Sequence, residues 1–133
     1  MIKEVTNNEI EFINKLIDYK ITSNSFEKCF KYEINNEIIG IIDFSEIYDR
    51  LELNYIWINP IFRGKDYSKD LMNYMVSYAQ NNNIKNITLE VSVENKIALK
   101  LYQEYGFIKA SIRENYYNGT DALLMIRKFD KNE

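Results

Sequence analysis

The chain has 133 residues, of which 28% are charged, and its formal net charge is −3 at neutral pH. That length predicts one domain, and the negative charge argues against a nucleic-acid binder, which needs a basic face. A basic peptide or an amine suits this charge better as a partner.

Cys29 is the one cysteine, and the sequence has no histidine. This composition excludes disulfides, Cys/His zinc sites and imidazole catalysis, so carboxylates, Tyr or Lys would carry any acid–base chemistry. We expect no metal. Because the sequence shows neither a leader nor a long apolar run, we expect a soluble cytoplasmic protein with no membrane partner. The oligomeric state stays open.

The N-terminal part predicts a short strand over residues 1–5, followed by a helix capped by Asn7 or Asn8. The apolar stripe of that helix comprises Ile10, Ile13, Leu16 and Ile17. Residues 29–34 and 38–47 then predict a hairpin whose turn is Asn35-Asn36, a pair that tolerates positive φ.

A third strand ends at Ile58, before Asn59-Pro60. Its alternating apolar residues are Leu51, Leu53, Tyr55 and Trp57. The next helix begins after Ser68, and its buried face comprises Leu71, Met72, Met75, Tyr78 and Ala79. The turn over residues 63–68 combines a helix N-terminus with nearby cations, which is typical of an anion site. In isolation, it is also what any strand followed by a helix needs.

Residues 86–92 predict a strand that is reached through a helix and is therefore parallel to the strand ending at Ile58. Asn95 can cap a further helix, which Gly106 closes. The predicted apolar face of this helix comprises Ile97, Ala98, Leu101 and Tyr105. Residues 107–117 and 122–129 predict a last hairpin around Asn118-Gly119. The fold class is therefore α/β (α+β), with a mixed, mostly antiparallel twisted sheet flanked by helices.

Two runs, NPIFRGKDYSKDLM and LEVSVENKIALKLYQEYGF, together with IRENYY near the C-terminus, resemble the GNAT superfamily of acetyl-CoA-dependent N-acetyltransferases. Within it they are most similar to the RimI-type ribosomal-protein alanine N-acetyltransferases. The likeness covers about residues 51–129. It implies that residues 1–133 form a single GNAT-type domain, that the central parallel strands splay apart, and that acetyl-CoA is the co-substrate.

The resemblance also implies the residues that bind the cofactor. Backbone groups of Ile56, Trp57 and Ile58 would pair with the pantetheine arm like an added strand. The N–H groups of residues 64–69 would hold the pyrophosphate. Asn95 would bind the pantetheine, or would only cap its helix. The cofactor set is Ile56, Trp57, Ile58, Arg63, Gly64, Lys65, Asp66, Tyr67, Ser68, Lys69 and Asn95.

For catalysis, the resemblance implies that Glu90 is the general base, acting directly or through water, and that Tyr102 is the general acid. Glu90 should share a strand face with Thr88 and Ser92. A backbone N–H near Trp57 or Ile58 would steady the oxyanion.

For the acceptor, the resemblance implies that Tyr116 and Tyr117 line the groove, which should be open because only about twenty residues separate the first two strands. An α-amine, with a pKa of about 7.7 to 8.0, is neutral far more often at pH 7 than a Lys amine is. This favours a protein or peptide N-terminus as acceptor, possibly of a basic or ribosomal protein. The alternatives are a small amine or a Lys side chain, a degenerate CoA-binding module, and an interaction protein without CoA.

Asp66 departs from the family pattern, in which this position of the turn is small. Its carboxylate would either repel the pyrophosphate and occupy the helix N–H groups, or point to solvent and pair with Lys65 or Lys69. We favour the second arrangement, since Asp tolerates the backbone conformations for which Gly is used.

Overall fold

A computed structural model describes residues 1–22 and 24–129 of the chain. The strands are β1 (Ile2–Glu4), β2 (Glu27–Ile34), β3 (Glu37–Ile47), β4 (Arg50–Ile58), β5 (Asn86–Ser92), β6 (Ile108–Tyr117) and β7 (Thr120–Lys128). The helices are α1 (Ile10–Leu16), α2 (Tyr67–Asn81) and α3 (Lys96–Glu104), and short 3-10 turns occur at Asn7–Glu9 and Pro60–Phe62. The order of elements follows the predicted one.

The strands form one seven-stranded sheet in the order β1-β2-β3-β4-β5-β7-β6. Strands β4 and β5 run parallel, and every other described pair of neighbours is antiparallel. The predicted mixed, mostly antiparallel sheet is therefore confirmed. The parallel pair arises because α2 carries the chain across the sheet face before β5 begins.

Both predicted two-residue turns are present. Asn35 and Asn36 adopt φ values of 52° and 64°, and Asn118 and Gly119 adopt 43° and 96°. All four values lie in the left-handed region that Asn and Gly tolerate best. Gly106, which ends α3, has a φ of 83°, as the predicted helix stop requires.

Strand β4 carries one extra residue relative to β3. Asp43 pairs with Tyr55 and Phe44 pairs with Leu53, so Asn54 has no opposite residue on β3. This bulge reverses the pleat, and the predicted uninterrupted alternation from Leu51 to Trp57 is wrong. The sheet side that faces α2 receives Leu51, Leu53, Ile56 and Ile58, and the side that faces α1 receives Tyr55 and Trp57.

The main core lies between the sheet and α2. Helix α2 buries Leu71, Met72, Met75, Val76 and Ala79, which confirms the predicted face except that Tyr78 is only half-buried. A smaller core on the opposite sheet face joins Ile13, Ile17 and Ile21 to Cys29 and Ile41. The two cores place β3 and β4 between helices on both faces.

Three details of the predicted helices are wrong. Thr6, rather than Asn7 or Asn8, precedes the first helical turn and forms a capping box with Glu9. Leu16, the last residue of α1, is 38% exposed rather than buried. Ile97 is 88% exposed, because in the first turn of α3 it is the neighbouring Ala98 that packs against the main core.

Candidate active site

The parallel strands β4 and β5 separate soon after they meet. They pair only at residues 50–52 of β4 and 86–88 of β5, and beyond these positions a cleft of about 280 Å³ opens between them. Residues 53–56 and 89–92 form its walls, and Asn95 and Tyr102 also line it. The predicted splay of the central strands is therefore confirmed.

A larger cavity of about 560 Å³ adjoins the cleft and shares Tyr55, Ile56, Asn95 and Tyr102 with it. The turn before α2, the end of β4 and one face of α3 enclose this cavity. Its lining includes the predicted cofactor residues Ile56, Trp57, Ile58, Arg63, Gly64, Asp66, Tyr67, Ser68 and Asn95. The structure thus brings these residues together around one space.

Along this cavity β4 is paired on one side only. Residues 56–58 pair with residues 40–42 of β3, while the described residues of β5 pair with none of them. Arg63 Nε donates a hydrogen bond of 3.0 Å to the Ile58 carbonyl, which ties the turn back to the strand. A strand with one free edge can accept an extended ligand as an added strand.

The N-terminus of α2 opens onto the same cavity. Asp66 adopts the left-handed conformation, with φ at 64°, and its side chain makes no capping hydrogen bond. Its carboxylate is 78% exposed and lies 3.7 Å from Lys69 Nζ. Of the two predicted arrangements of Asp66, the structure has the second. The Lys69 N–H donates to the Asp66 carbonyl oxygen at 3.1 Å, whereas the Asp66 side chain leaves the N–H groups near Tyr67 and Ser68 uncapped and suited to an anion.

Lys65 and Lys69 do not line the cavity. Lys65 Nζ lies 5.9 Å from the centre of the Phe62 ring. Lys69 pairs with Asp66 and Glu104, and the charge of Asp66 raises its pKa more than any other cause. In this arrangement the two lysines contribute positive charge near the turn rather than contacts inside the cavity.

Glu90 lies on the β5 wall of the cleft. Burial alternates along β5, so Glu90 shares the half-buried face with Thr88 and Ser92, as predicted. Glu90 Oε1 lies 3.1 Å from Arg113 Nη2. Glu90 Oε2 is buried and has no hydrogen-bond partner within residues 1–22 and 24–129. A buried carboxylate oxygen without a donor is an uncommon feature that points to a ligand.

Tyr102 and Asn95 approach the cleft from α3. The Tyr102 side chain is 7% exposed and packs beside Phe107, with ring centres 6.0 Å apart. Asn95 Oδ1 accepts the Ala98 N–H at 3.2 Å, so Asn95 caps α3 with its carbonyl oxygen. The predicted capping role of Asn95 is therefore present, and its contact with the pantetheine stays a prediction.

The sequence profile of the acetyltransferase (GNAT) family matches residues 4–107. The chain belongs to this GNAT family. A [ribosomal protein bS18]-alanine N-acetyltransferase from Haemophilus ducreyi is 33% identical over 92 residues, which are 69% of this chain and 63% of that relative. A putative enzyme of the same name from Bacillus subtilis is 28% identical over 80% of this chain and 72% of its own length.

Solved structures show the same GNAT fold. The ribosomal-protein-S18-alanine N-acetyltransferase from Escherichia coli superposes with a TM-score of 0.89 at 18% identity, over 100% of this chain and 97% of that chain. A GNAT acetyltransferase from Elizabethkingia anophelis with acetyl-CoA bound gives a TM-score of 0.77 at 20% identity, over 97% of both chains. The predicted N-acetyltransferase class is confirmed at the level of the family, which uses acetyl-CoA as co-substrate.

The predicted acceptor residues of this GNAT chain lie on β6. Tyr116 is 47% exposed, and the Arg113 guanidinium lies 4.9 Å from the centre of its ring. The side chain of Tyr117 lies outside the described part of the structure. Tyr116 is thus connected to Glu90 through Arg113, which contacts both.

Sequence reasoning missed Arg113 and Asp43. Arg113 reaches Glu90 across β7, where Ala122 pairs with both Ser92 and Arg113. Asp43 is fully buried, and burial followed by the charge of Glu27 raises its pKa to about 7. The position of Asp43 as a charged residue in the apolar run of β3 could have indicated it. The contact of Arg113 with Glu90 could be found only from the order of the strands in the sheet.

None of the helices among the described residues is long and apolar enough to cross a membrane.

Proposed function

We propose that this chain is an acetyl-CoA-dependent N-acetyltransferase whose acceptor is the N-terminal α-amine of a protein or peptide, and that residues 1–133 act as one GNAT-type domain. The observation that carries the proposal is Glu90 Oε2, which is buried on the wall of the cleft between β4 and β5 and has no hydrogen-bond partner among the residues that the structure describes. A carboxylate oxygen without a donor is suited to take a proton from an amine.

Two features of the larger cavity fit acetyl-CoA, which supplies the acetyl group as a thioester. The free edge of β4 offers the backbone groups of Ile56, Trp57 and Ile58 to the pantetheine amides. The open first turn of α2 offers the N–H groups near Tyr67 and Ser68 to the pyrophosphate. Arg63, Gly64 and Asp66 complete this wall, Lys65 and Lys69 add positive charge, and Asn95 contributes its amide nitrogen.

The described side chains divide the proton transfers between them. Glu90 accepts the proton that the attacking amine loses, directly or through one water. A backbone N–H of β4 near Trp57 or Ile58 donates to the carbonyl oxygen as the carbon–nitrogen bond forms. Tyr102 donates its phenolic proton to the sulfur as the carbon–sulfur bond breaks, and proton exchange with solvent restores both residues.

Arg113 holds the carboxylate of Glu90 in one orientation. Its Nη2 binds Oε1, so Oε2 is the oxygen left for the amine. Arg113 also lies over Tyr116, so one side chain contacts both the proposed base and a residue of the proposed acceptor groove. Tyr116, together with Tyr117, is proposed to line the path of the acceptor chain.

The α-amine is favoured over a Lys side chain because more of it is neutral at pH 7. The Haemophilus ducreyi relative is named a [ribosomal protein bS18]-alanine N-acetyltransferase and the Bacillus subtilis relative a putative one, and these names support the same class of acceptor. A basic or ribosomal protein N-terminus is therefore our proposed partner, and the net charge of −3 suits it.

The test is to incubate the protein with acetyl-CoA and three acceptors: a peptide with a free α-amine, the same peptide with a blocked N-terminus and one Lys, and spermidine. We expect acetylation of the free α-amine. Acetylation of spermidine or Lys alone would assign the site to the alternative acceptors. Calorimetric binding of acetyl-CoA without transfer to any acceptor would indicate a degenerate binding module, and no binding would refute the proposal.

A further inference from the structure

The bulge on β4 places a polar side chain in the cleft opposite Glu90. Asn54 is the residue that β3 leaves unpaired, and it lines the same cleft from the β4 wall while Glu90 lines it from the β5 wall. Bulges often redirect a side chain next to an active site. Asn54 therefore lies where an acceptor amine between the two walls would meet it.

The Asn54 amide is fixed in one orientation. Its Nδ2 donates to Asp43 Oδ2 at 3.1 Å and to Ser45 Oγ at 2.8 Å. An amide nitrogen has two hydrogens, so these two bonds use both of them. The remaining polar atom of the side chain, Oδ1, is a pure acceptor, and neither of these two hydrogen bonds uses it.

Asp43, on β3, accepts one of the two hydrogen bonds that orient Asn54. It is fully buried, and its own Oδ1 has no hydrogen-bond partner among the described atoms. Burying a carboxyl group costs free energy of folding unless hydrogen bonds compensate for the lost water. Its Oδ2 accepts the hydrogen bond from Asn54, and the side chains of Glu27 and Cys29 also lie against it.

We propose that Asn54 Oδ1 accepts a hydrogen bond from the attacking amine, opposite Glu90, and thereby selects primary amines as acceptors. A neutral primary amine has one lone pair and two N–H groups. The lone pair attacks the thioester, Glu90 takes one hydrogen as a proton, and Asn54 holds the hydrogen that remains in the product amide. Asp43 and Ser45 are positioning residues. This inference rests on the function proposed above.

A secondary amine has one N–H, and Glu90 must remove it. It therefore leaves Asn54 Oδ1 unpaired in the cleft, and a site built to bind an N–H discriminates against a ligand that lacks it. The test compares kcat/KM for an acceptor peptide and for the same peptide with an N-methylated α-amine, in the wild-type protein and in Asn54→Leu.

We expect Asn54→Leu to lower kcat/KM for the primary amine about three- to tenfold, the loss expected from one hydrogen bond, and to leave the N-methyl substrate unchanged. An equal loss on both substrates, or none, would overturn the inference while leaving the acetyltransferase itself intact. A wild-type protein that binds acetyl-CoA and acetylates neither amine would refute the proposed function as well.

A second test uses two variants of Asp43 and does not require Asn54→Leu to fold. Asp43→Asn keeps an oxygen that accepts the Asn54 hydrogen, so we expect its preference for the primary amine to match the wild type. Asp43→Ala removes that oxygen and should reduce the preference as Asn54→Leu does. If Asp43→Asn and Asp43→Ala reduce the preference equally while both bind acetyl-CoA normally, Asp43 does not act by orienting Asn54, and the inference is contradicted.

Discussion

Glu90 and Arg113 lie on different strands and are joined by an ion pair of 3.1 Å between Oε1 and Nη2. The pair crosses β7, which the sheet order inserts between β5 and β6. Oε1 of the carboxylate contacts Arg113. Oε2 is left for the cleft and has no hydrogen-bond partner in the described structure. This division is the geometric basis of the proposed base.

We expect Arg113→Gln to lower kcat/KM about tenfold while leaving the affinity for acetyl-CoA unchanged. Without the guanidinium, the Glu90 carboxylate can turn, and the oxygen that faces the cleft is no longer fixed. The pair is partly exposed, so its effect on stability should be under about 1 kcal/mol. Arg113→Lys, which keeps the charge, is the matched control, and equal activity of all three proteins would exclude the orienting role.

Glu90→Gln should reduce kcat/KM about 10²- to 10⁴-fold, the usual range for loss of a general base. The loss should be largest at low pH, because there fewer acceptor amines are already neutral. Steady-state rates between pH 6 and 9 measure this dependence. A small loss that does not vary with pH would mean that solvent accepts the proton.

Tyr102→Phe should slow turnover about tenfold or more, because the change removes the proposed proton donor to the sulfur. The change removes one oxygen from a buried side chain that packs on Phe107, so acetyl-CoA affinity should stay within about twofold. Rates and calorimetry on the same preparation separate the two effects. Loss of affinity without loss of kcat would assign Tyr102 to cofactor binding.

Asp66→Asn should strengthen acetyl-CoA binding a few-fold, most clearly at low salt. The substitution removes a negative charge beside the proposed pyrophosphate site while Asn keeps the left-handed conformation. Because the Asp66 carboxylate is mostly exposed and pairs with Lys69, solvent and Lys69 limit the gain. Calorimetry at two salt concentrations measures it, and weaker binding in Asp66→Asn would show that the carboxylate contributes to the site.

Asp43 should make the protein less stable as pH rises. Burial, and then the charge of Glu27, raises its pKa from 3.8 to about 7, with the Cys29 thiol and Asn54 also packed against it. Between these pH values the folded state keeps a proton that the unfolded state has lost, so the stability contributed below pH 4 disappears by about pH 7. The loss is about 4 kcal/mol at most.

Urea unfolding of wild-type protein and Asp43→Asn at pH 4, 6 and 8 measures this effect. The wild-type free energy of unfolding should fall relative to that of Asp43→Asn as the pH rises. Parallel curves for the two proteins would show that Asp43 does not titrate in this range.

Much of the architecture could be predicted from the sequence because local signals agree with it. Asn35-Asn36 and Asn118-Gly119 fix the two tight turns, and the helical spacing after Ser68 fixes the buried face of α2. The motifs around Gly64, Glu90 and Tyr102 carried the family resemblance. These features depend on residues that lie close together along the chain.

The remaining features depend on packing between distant segments. The bulge at Asn54 was not predictable because residues 55–58 are apolar at every position, so either phase of the strand satisfies the pattern. The contact of Arg113 with Glu90 required the insertion of β7 between β5 and β6. Ile97 fitted a helical stripe, yet it lies at the mouth of the cavity, where its exposed side chain contributes to the lining.

The central claim is that acetyl-CoA occupies the space between the splayed strands while Glu90 accepts the proton of an α-amine. The most direct test is mass spectrometry of an acceptor peptide during a single turnover with saturating acetyl-CoA, using wild-type protein and Glu90→Gln. We predict addition of one acetyl group at the α-amine by the wild type, and a much slower addition by Glu90→Gln with unchanged acetyl-CoA affinity. Equal rates of acetylation by the two proteins would contradict the account.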